Sequence, residues 1–216
     1  MDYDTLSYYL QRHPESLKYW HRLLNTHVHL PKVKKDFTGE FTSWYRKLTR
    51  TALIKLQEWE NLYGFSHSCS LGCSHCCKHP IIITKSEALV LYTFLVENSL
   101  REFINQAISV ATYIQNNLPE IPQGIDEEKV QRYRQKYFSA NISCPFLQDN
   151  KCVVYEVRPT NCVTYFSYGD PCECKTNSAP LLGVQFNGLE QWMLQEMFNF
   201  CKFNRKKCHE IYLVVS

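Results

Sequence analysis

The amino-acid sequence predicts an α+β fold that is predominantly helical, in which cysteine-rich loops with short strands pack against long amphipathic helices. Apolar residues recur at three- and four-residue spacing over long stretches, as they do on the buried face of a helix. Nine of the 11 cysteines fall between residues 69 and 174 and mark the loops. With 216 residues, 44% of them hydrophobic and 14% aromatic, the chain can bury a sizeable core, and its composition excludes a disordered protein.

Residues 1–64 predict a helical N-terminal extension. A helix is expected to open at Pro14 and to run to Leu24, and a longer helix should follow from residue 38 or 39 to Leu62. Gly64 suits the left-handed position just past the end of that helix. The longer helix carries apolar residues at helical spacing, which we expect to pack in the core: Phe41, Trp44, Tyr45, Leu48, Ala52, Leu56, Trp59 and Leu62.

The middle of the chain predicts one short strand followed by two helices. Ile81–Ile83 is a run of β-branched residues, which fit a pleated sheet. Thr84 and Glu87 form a capping box that opens a helix to about Glu97, and Ser99–Glu102 repeats this signature ahead of the next helix. The second helix has an apolar face made of residues at helical spacing: Leu100, Phe103, Ile104, Ala107, Ile108, Ala111, Ile114 and Leu118.

The last part of the chain alternates between helices and loops. A further helix is expected over residues 126–138, and residues 144–165 predict a hairpin-like or looped unit that leads into one helical turn. Residues 166–186 are rich in glycine and proline and predict loops. Residues 187–203 form an amphipathic pattern typical of a helix, and residues 211–215 predict an edge strand or a docked tail.

Charge and hydrophobicity argue against nucleic-acid and membrane partners. The net charge of +3 is mild, and the only clusters of basic residues are short, at 32–35 and 205–207. The N-terminus lacks the basic start and apolar segment of a signal peptide, and the longest apolar stretch, residues 88–96, is too short to cross a bilayer. We therefore expect a cytoplasmic protein, in which cysteines are reduced and bind metal or act in catalysis rather than form disulfides.

The cysteines form a close group and a distant group, as in a metal site that is split along the chain. The close group is Cys69-x3-Cys73-x2-Cys76-Cys77, and the distant group is Cys144-x7-Cys152-x9-Cys162. Cysteine thiolates bind zinc tetrahedrally or hold iron–sulfur clusters, so we expect one of these two cofactors in a metal-binding domain over residues 65–216. The full set of candidate ligands is Cys69, Cys73, Cys76, Cys77, Cys144, Cys152, Cys162, Cys172 and Cys174.

Several details of this site stay open. Neighbouring side chains diverge in an extended backbone, so either Cys76 and Cys77 face two metals or only one of them is a ligand. The triplet Cys69-x3-Cys73-x2-Cys76 also matches the cluster-binding pattern of radical enzymes that use S-adenosylmethionine, but the chain is short for the barrel of such enzymes. The histidines of the loop, His67, His75 and His79, are expected to lie at the surface or beside the ligands. Cys201 is expected in the core, and Cys208 in the core or as a free thiol.

The two cysteine groups together resemble a widespread bacterial cysteine-cluster family, often called YkgJ-like, to which a zinc- or iron-chelating role is attributed. The resemblance covers about residues 66–175, outside the N-terminal and C-terminal helices. It departs from the family at Val163, where an arginine is usual, and in the looser spacing of the first group. It implies that Tyr155, Glu156 and Arg158 support the ligands, with Arg158 bonding to thiolates or pairing with Glu156. The residues that carry the resemblance are Cys73-Ser-His-Cys76-Cys77, Cys144-Pro-Phe-Leu147, Cys152, Tyr155-Glu-Val-Arg158-Pro159 and Cys162.

Three functions follow from these patterns. The first is a protein that binds zinc or an iron–sulfur cluster and has a structural, trafficking or sensing role. The second is a cluster-dependent modifying enzyme, since family members resemble the cysteine-rich part of flagellin lysine methylases, which implies lysine methylation with S-adenosylmethionine. The third is an interaction module for a protein partner, in which the metal only stabilises the fold. The sequence contains no GxGxxG, GxxxxGK or HExxH motif, so whether the chain is an enzyme stays open.

Overall fold

The computed structural model describes residues 2–33, 36–70, 72–119, 127–177, 180 and 182–204. Its α-helices are α1 (Tyr3–Gln11), α2 (Pro14–Leu24), α3 (Phe37–Tyr63), α4 (Lys85–Glu97), α5 (Glu102–Asn117), α6 (Glu127–Ser139), α7 (Thr160–Val163), α8 (Pro171–Thr176) and α9 (Asn187–Phe203). Two 3₁₀ turns cover His75–Lys78 and Tyr155–Val157. The strands are β1 (Leu147–Gln148), β2 (Lys151–Cys152), β3 (Tyr165–Ser167) and β4 (Gly183–Gln185). The predicted fold class, predominantly helical α+β, is confirmed.

The N-terminal helices begin and end at residues that stabilise helix termini. The carboxylate of Asp2 accepts a hydrogen bond from the backbone N–H of Thr5 at 2.7 Å and opens α1, a helix that the sequence analysis missed. Helix α2 has the predicted bounds. Helix α3 ends at Gly64, whose φ of 72° confirms the predicted left-handed cap.

Helix α3 and helix α9 bring their aromatic faces together at the centre of the molecule. The ring of Phe200 lies 4.9 Å from that of Phe41 and 4.6 Å from that of Trp44, while Trp59 stacks on Phe65 at 5.0 Å. Residues before and after position 64 contribute to the same hydrophobic cluster. The division into domains at residue 64 stays a prediction.

Three glutamates with almost no solvent exposure tie loops to this core. Glu196 of α9 accepts a hydrogen bond from the backbone N–H of Val28 at 2.6 Å, and Glu60 of α3 accepts one from the hydroxyl of Tyr168 at 2.6 Å. Glu87 of α4 accepts one from the backbone N–H of Thr160 at 2.7 Å. Because a buried carboxylate is costly unless it is hydrogen-bonded, each of these glutamates fixes the loop that supplies its donor.

The capping box at the start of α4 is confirmed, but the second one is wrong. Thr84 accepts from the backbone N–H of Glu87 at 3.2 Å, and the Glu87 carboxylate accepts from the backbone N–H of Thr84 at 2.7 Å. Ser99 instead adopts a left-handed φ of 61° and terminates α4, while the N–H of Leu100 bonds to the carbonyl of Leu95 at 2.8 Å. Helix α5 therefore begins at Glu102 without a side-chain cap.

Helices α5 and α6 carry a second, smaller hydrophobic cluster. Tyr133, Tyr137 and Ile142 are buried there, and Val110 and Ile114 of α5 pack against them. Within α5, Phe103 is the buried residue of the main core. Most of the predicted apolar face of this helix packs against the small cluster or is accessible to solvent. The predicted start of α6 at residue 126 lies outside the described residues.

The predicted strand at Ile81–Ile83 is wrong. The segment makes no strand in the structure, and the side chain of Ile82 is 67% exposed. The side-chain amide of Asn161 donates to the carbonyl of Ile82 at 3.1 Å, which holds the segment in place without a partner strand. A β-branched run becomes a strand only where another strand supplies the ladder of hydrogen bonds.

The C-terminal half confirms the predicted hairpin and the last helix. Strands β1 and β2 are joined by Asp149 and Asn150, whose positive φ values of 49° and 60° fit a tight two-residue turn. Helix α7 is the predicted helical turn, and α9 has the predicted bounds. The region predicted as loops also contains β3, α8 and β4, with β3 and β4 paired antiparallel. The predicted strand or tail at 211–215 lies outside the described residues.

Of the described helices, none has both the length and the hydrophobicity that crossing a membrane would require.

Candidate metal centre

The first cysteine group lies on a loop that is anchored at both ends. At its start, the backbone N–H of Ser68 donates to the carbonyl of Ser167 at 2.8 Å, and the Ser68 hydroxyl donates to the carbonyl of Gly169 at 2.6 Å. At its end, the 3₁₀ turn His75–Lys78 carries Cys76 and Cys77. Between them Gly72 has a φ of 90°, a conformation that residues with a side chain rarely adopt. The backbone is therefore held at Ser68, directly before Cys69, and at the 3₁₀ turn that carries Cys76 and Cys77.

The two cysteine groups meet, as the sequence predicts for a split site. The backbone N–H of Cys144 donates to the carbonyl of Cys77 at 2.7 Å, which joins the second group directly to the first. The hairpin then carries the chain back, so that Cys152 stands opposite Leu147. A bond from the N–H of Val153 to the carbonyl of Phe146, at 2.9 Å, extends this pairing. Cys77, Cys144 and Cys152 thus come from backbone segments that are bonded to one another.

Helices α3 and α4 hold the segment that carries Cys162. The Glu87 carboxylate accepts from the N–H of Thr160, and the hydroxyl of Tyr45 donates to the carbonyl of Arg158 at 3.2 Å. The thiol of Cys162 lies on the single turn of α7 that follows. These contacts place the Arg158–Cys162 segment against the rigid part of the fold.

Five thiols interact in this place: Cys76, Cys77, Cys144, Cys152 and Cys162. A hydrogen bond from the Cys77 thiol, aided by the charge of Arg158, lowers the pKa of Cys76 to about 7. The same hydrogen bond raises the pKa of Cys77, and burial raises the pKa of Cys144 to about 11. Burial also raises the pKa of Cys162. Cys76 is thus the thiol of this group that ionises most readily.

The side chains of Cys76 and Cys77 do not diverge as expected for an extended backbone. They lie on a 3₁₀ turn, and their thiols are hydrogen-bonded. Cys76 is exposed and Cys77 is half-buried, and whether one or both of them are ligands stays a prediction.

Of the three predicted supporting residues, Arg158 acts on the thiols, and Tyr155 lies against its guanidinium. The guanidinium of Arg158 is centred 4.2 Å from the Tyr155 ring, and its positive charge helps to lower the pKa of Cys76. Burial raises the pKa of Cys152, and the charge of Arg158 opposes part of this shift. Glu156 does not pair with Arg158, because its carboxylate forms an ion pair with Arg46 of α3. The Nε of Arg158 is buried and has no hydrogen-bond partner among the described residues.

A second set of thiols gathers around Ser167 of β3, a residue that the sequence analysis missed. Its backbone N–H donates to the sulfur of Cys69 at 3.3 Å. Burial raises the pKa of Cys174, and the Ser167 side chain opposes part of this shift. Burial raises the pKa of Cys69, and the charges of Cys76, Cys73 and Cys174 raise it further. Cys174 is the buried residue of α8, which lies against the 3₁₀ turn of the first group.

Cys172 lies apart from the other candidate ligands. It is exposed, and a hydrogen bond with Asp170 raises its pKa. Residues two apart on a helix point away from each other, so Cys174 faces the other thiols and Cys172 does not. No disulfide joins any of the nine candidate ligands. Of the other two cysteines, Cys201 packs at the edge of the core, whereas Cys208 lies outside the described residues.

The loop histidines lie beside the thiols in different ways. The Nδ1 of His67 is 2.8 Å from the buried carboxylate of Glu60, so this ring is held on α3. The Nε2 of His79 is buried without a partner in the described part of the chain, and its ring lies 5.8 Å from that of Tyr165. Burial lowers the pKa of His79, which favours the neutral ring.

The donor atoms of the cysteines and the placement of the backbone segments that carry them fit a metal site. Thiolates are the preferred ligands of zinc and of iron–sulfur clusters, and here they come from the loop, the hairpin and two short helices. Across the described ranges, however, no three His, Cys, Asp or Glu side chains form a group ready to hold a metal ion. Binding would therefore require the thiol side chains to rotate.

A protein-family comparison agrees with this chemistry. The model of the family CxxCxxCC, described as "Putative zinc- or iron-chelating domain", matches residues 68–202, more than half of the chain. The chain belongs to this family. The predicted resemblance to the YkgJ-like cysteine-cluster family is thereby confirmed. No curated protein and no solved structure matches the chain at a significant level.

The match to the CxxCxxCC family corrects the predicted extent of the family region and allows the spacing of the first cysteine group to be compared with the family's motif. It extends through most of α9, so the C-terminal helix belongs to the family domain and does not lie outside it. In this chain the motif reads C-x3-C-x2-C-C from Cys69 to Cys77, one residue longer between the first two cysteines than the family's name. The extra residue falls in the stretch that contains the left-handed Gly72.

Proposed function

We propose that this protein chelates zinc or iron through Cys76, Cys77, Cys144, Cys152 and Cys162, and that the metal has a structural role. The hydrogen bond between the N–H of Cys144 and the carbonyl of Cys77 carries the proposal, because it brings two distant groups of thiols to one place. Membership of a family described as zinc- or iron-chelating supports it.

The positive charge of Arg158 favours the ionised form of Cys76, Cys152 and Cys162, whereas burial raises the pKa of Cys144, Cys152 and Cys162 and favours their protonated form when no metal is bound. A set of four thiolates around one divalent ion carries excess negative charge, which a nearby cation can offset. The charge of Arg158 acts on Cys76, Cys152 and Cys162, and its buried Nε is available as a donor to sulfur. An arginine beside thiolates orients them and stabilises their charge.

A structural role follows from where the ligands lie. The thiols come from the 3₁₀ turn, the hairpin and α7, all of which are short elements that bury few apolar side chains. A metal that joins such elements adds its binding free energy to folding. Trafficking or sensing would use the same ligands but would require that the metal exchange readily.

The metal is identified by purifying the protein without oxygen and measuring metal content, acid-labile sulfide and the visible spectrum. Sulfide with broad visible absorption would indicate an iron–sulfur cluster, whereas colourless protein with stoichiometric zinc would indicate a zinc site. The variant Cys144→Ser should lose metal, and Cys172→Ser, the matched control outside the thiol group, should keep it. The proposal would be overturned if the wild-type protein were purified without metal and if treatment with a chelator did not lower its stability.

The methyltransferase alternative has its own measurement. Calorimetric titration of the metal-loaded protein with S-adenosylmethionine should show no binding if the role is structural. Saturable binding would instead favour a modifying enzyme.

A further inference from the structure

Helix α9 has an apolar surface that the described residues leave uncovered. Phe198 is 61% exposed and Leu194 is 37% exposed, although the opposite face of the helix is buried in the aromatic core. Residues four apart share a face of a helix, so these two side chains lie next to each other. They border a shallow recess of about 360 Å³, which is lined by Asn187, Glu190, Gln191, Leu194, Gln195 and Phe198.

This α9 recess is poor in charge. Among the residues that line it, Glu190 is the charged one, and its carboxylate accepts a hydrogen bond from the side-chain amide of Gln185 at 3.0 Å. The amide of Gln195 donates to the side chain of Asn199 at 3.1 Å. Charged residues are depleted in the centres of interfaces. The recess therefore suits an apolar, uncharged segment of chain.

The C-terminal end of α9 is held in place beside the recess. The side-chain oxygen of Asn204 accepts from the backbone N–H of Val33 at 3.2 Å, and its amide donates to the carbonyl of Phe200 at 3.2 Å. At a rise of 1.5 Å per residue, Asn204 lies about 9 Å along the helix axis from Phe198 and about 15 Å from Leu194. The chain thus leaves the helix at a fixed point, close to the recess.

The segment that follows Asn204 has the composition that the recess suits. Residues 205–216 lie outside the described residues and beyond the family match, which ends at residue 202. They contain a basic run at 205–207 and an apolar run, Ile-Tyr-Leu-Val-Val, at 211–215. The six residues that separate Asn204 from the apolar run can span about 20 Å. This reach exceeds the distance to Phe198 and to Leu194.

We infer that residues 211–215 dock on the α9 recess and cover Leu194 and Phe198. A segment tethered by a short linker meets its site at an effective concentration in the millimolar range. It therefore outcompetes a second copy of the chain or another protein present at lower concentration. The basic run at 205–207 would lie at the polar rim of the recess, where charges keep their water.

The test is limited digestion of the full-length protein with chymotrypsin, in which intact-mass spectrometry follows the cut after Tyr212. Phe198→Gln and Leu194→Gln should each be cut there about tenfold faster than the wild type, because the loss of one buried apolar side chain shifts docking by about that factor. The matched control is Ile108→Gln on α5, where the isoleucine is 60% exposed. It should be cut at the wild-type rate.

Each outcome decides for or against the docked segment. Faster cutting in both α9 variants, with wild-type cutting in Ile108→Gln and unchanged circular dichroism, supports it. Equal rates in all four proteins would overturn it, and so would equal acceleration by Ile108→Gln. A wild-type rate that falls as the protein concentration rises would show that the segment docks on a second copy, which would also overturn it.

Discussion

The aromatic core and the cysteine centre are built in opposite ways. In the core, side chains such as Tyr45 and Trp59 are 0% exposed, and rings pack against one another. At the centre, the thiols lie on short elements, where Cys76 is exposed and the other four of its group are half-buried. The Nε2 of His79 and the Nε of Arg158 are buried without partners among the described residues. In the core, the unpartnered buried polar atoms among the described residues are the hydroxyls of Thr42 and Thr49, whereas those at the centre include nitrogen atoms of two side chains that can be charged. The comparison teaches that ring packing holds the core together, whereas backbone hydrogen bonds between distant segments hold the cysteine centre together.

The largest effect is expected from a truncation in the core. Trp59→Ala removes a fully buried ring that stacks on Phe65 and a hydrogen bond to Ser16, and we expect it to lower the free energy of unfolding by about 3–5 kcal/mol. Urea denaturation of metal-free protein measures this loss. A much smaller decrease in the free energy of unfolding would show that the aromatic core is not what stabilises the metal-free fold.

A smaller effect is expected where the core meets the centre. Glu87→Gln replaces the carboxylate that accepts from the backbone of Thr160 and of Thr84, and we expect a loss of about 1–3 kcal/mol. Because Glu87 fixes the segment that carries Cys162, metal content should fall as well. The control is Glu15→Gln, a change at an exposed carboxylate paired with Lys18, which should alter neither quantity. Equal effects in the two variants would contradict the link.

The pH dependence of stability should differ between the metal-free and metal-loaded protein. Burial raises the pKa of Cys144 from 9.0 to about 11, so between these values the folded state binds more protons than the unfolded state. The free energy of unfolding of metal-free protein should therefore be full below pH 9 and fall as the pH rises through that range. Metal-bound thiolates have already lost their protons, so the loaded protein should lack this slope. Urea titrations across the range test both forms, and identical slopes would count against metal binding by Cys144.

The smallest effect is expected at the surface. Arg46→Ala removes the exposed ion pair with Glu156 and the contact of its guanidinium with the Phe94 ring, centred 5.3 Å away. Exposed pairs of this kind contribute about 1 kcal/mol or less, so stability should change little. Metal content should stay at the wild-type level. A marked loss of metal would show that Glu156 supports the centre after all.

The sequence predicted the helices well because their signals are local. The capping box at Thr84 and Glu87, the glycine at position 64 and the bounds of α9 all follow from residues within one or two turns. Strands were harder, since pairing depends on a distant partner. Ile81–Ile83 has strand composition but no neighbour, while β3 finds β4 across a stretch that reads as loop. The missed helix α1 had a usable signal in Asp2, which caps its N-terminus.

The candidate centre was predictable in composition but not in arrangement. Spacing alone indicated that two cysteine groups would meet, as the bond from Cys144 to Cys77 shows. Spacing could not separate Cys172 from Cys174, because the helix that turns them to opposite sides was not foreseen. Nor could it find Ser167, whose backbone N–H reaches the sulfur of Cys69 only once β3 has been placed beside the cysteine loop.

The anchors of the centre also bear on the order in which the molecule folds. The bond from Thr160 to Glu87 joins residues 73 positions apart, and that from Ser68 to Gly169 joins residues 101 positions apart. A contact between residues so far apart in sequence closes a long loop. The loop loses conformational entropy before the contact stabilises the fold. We therefore expect the helices to form first and the thiols to be gathered late. A newly made chain would bind metal weakly through the local thiols of its first loop and tightly only after its last helix has docked.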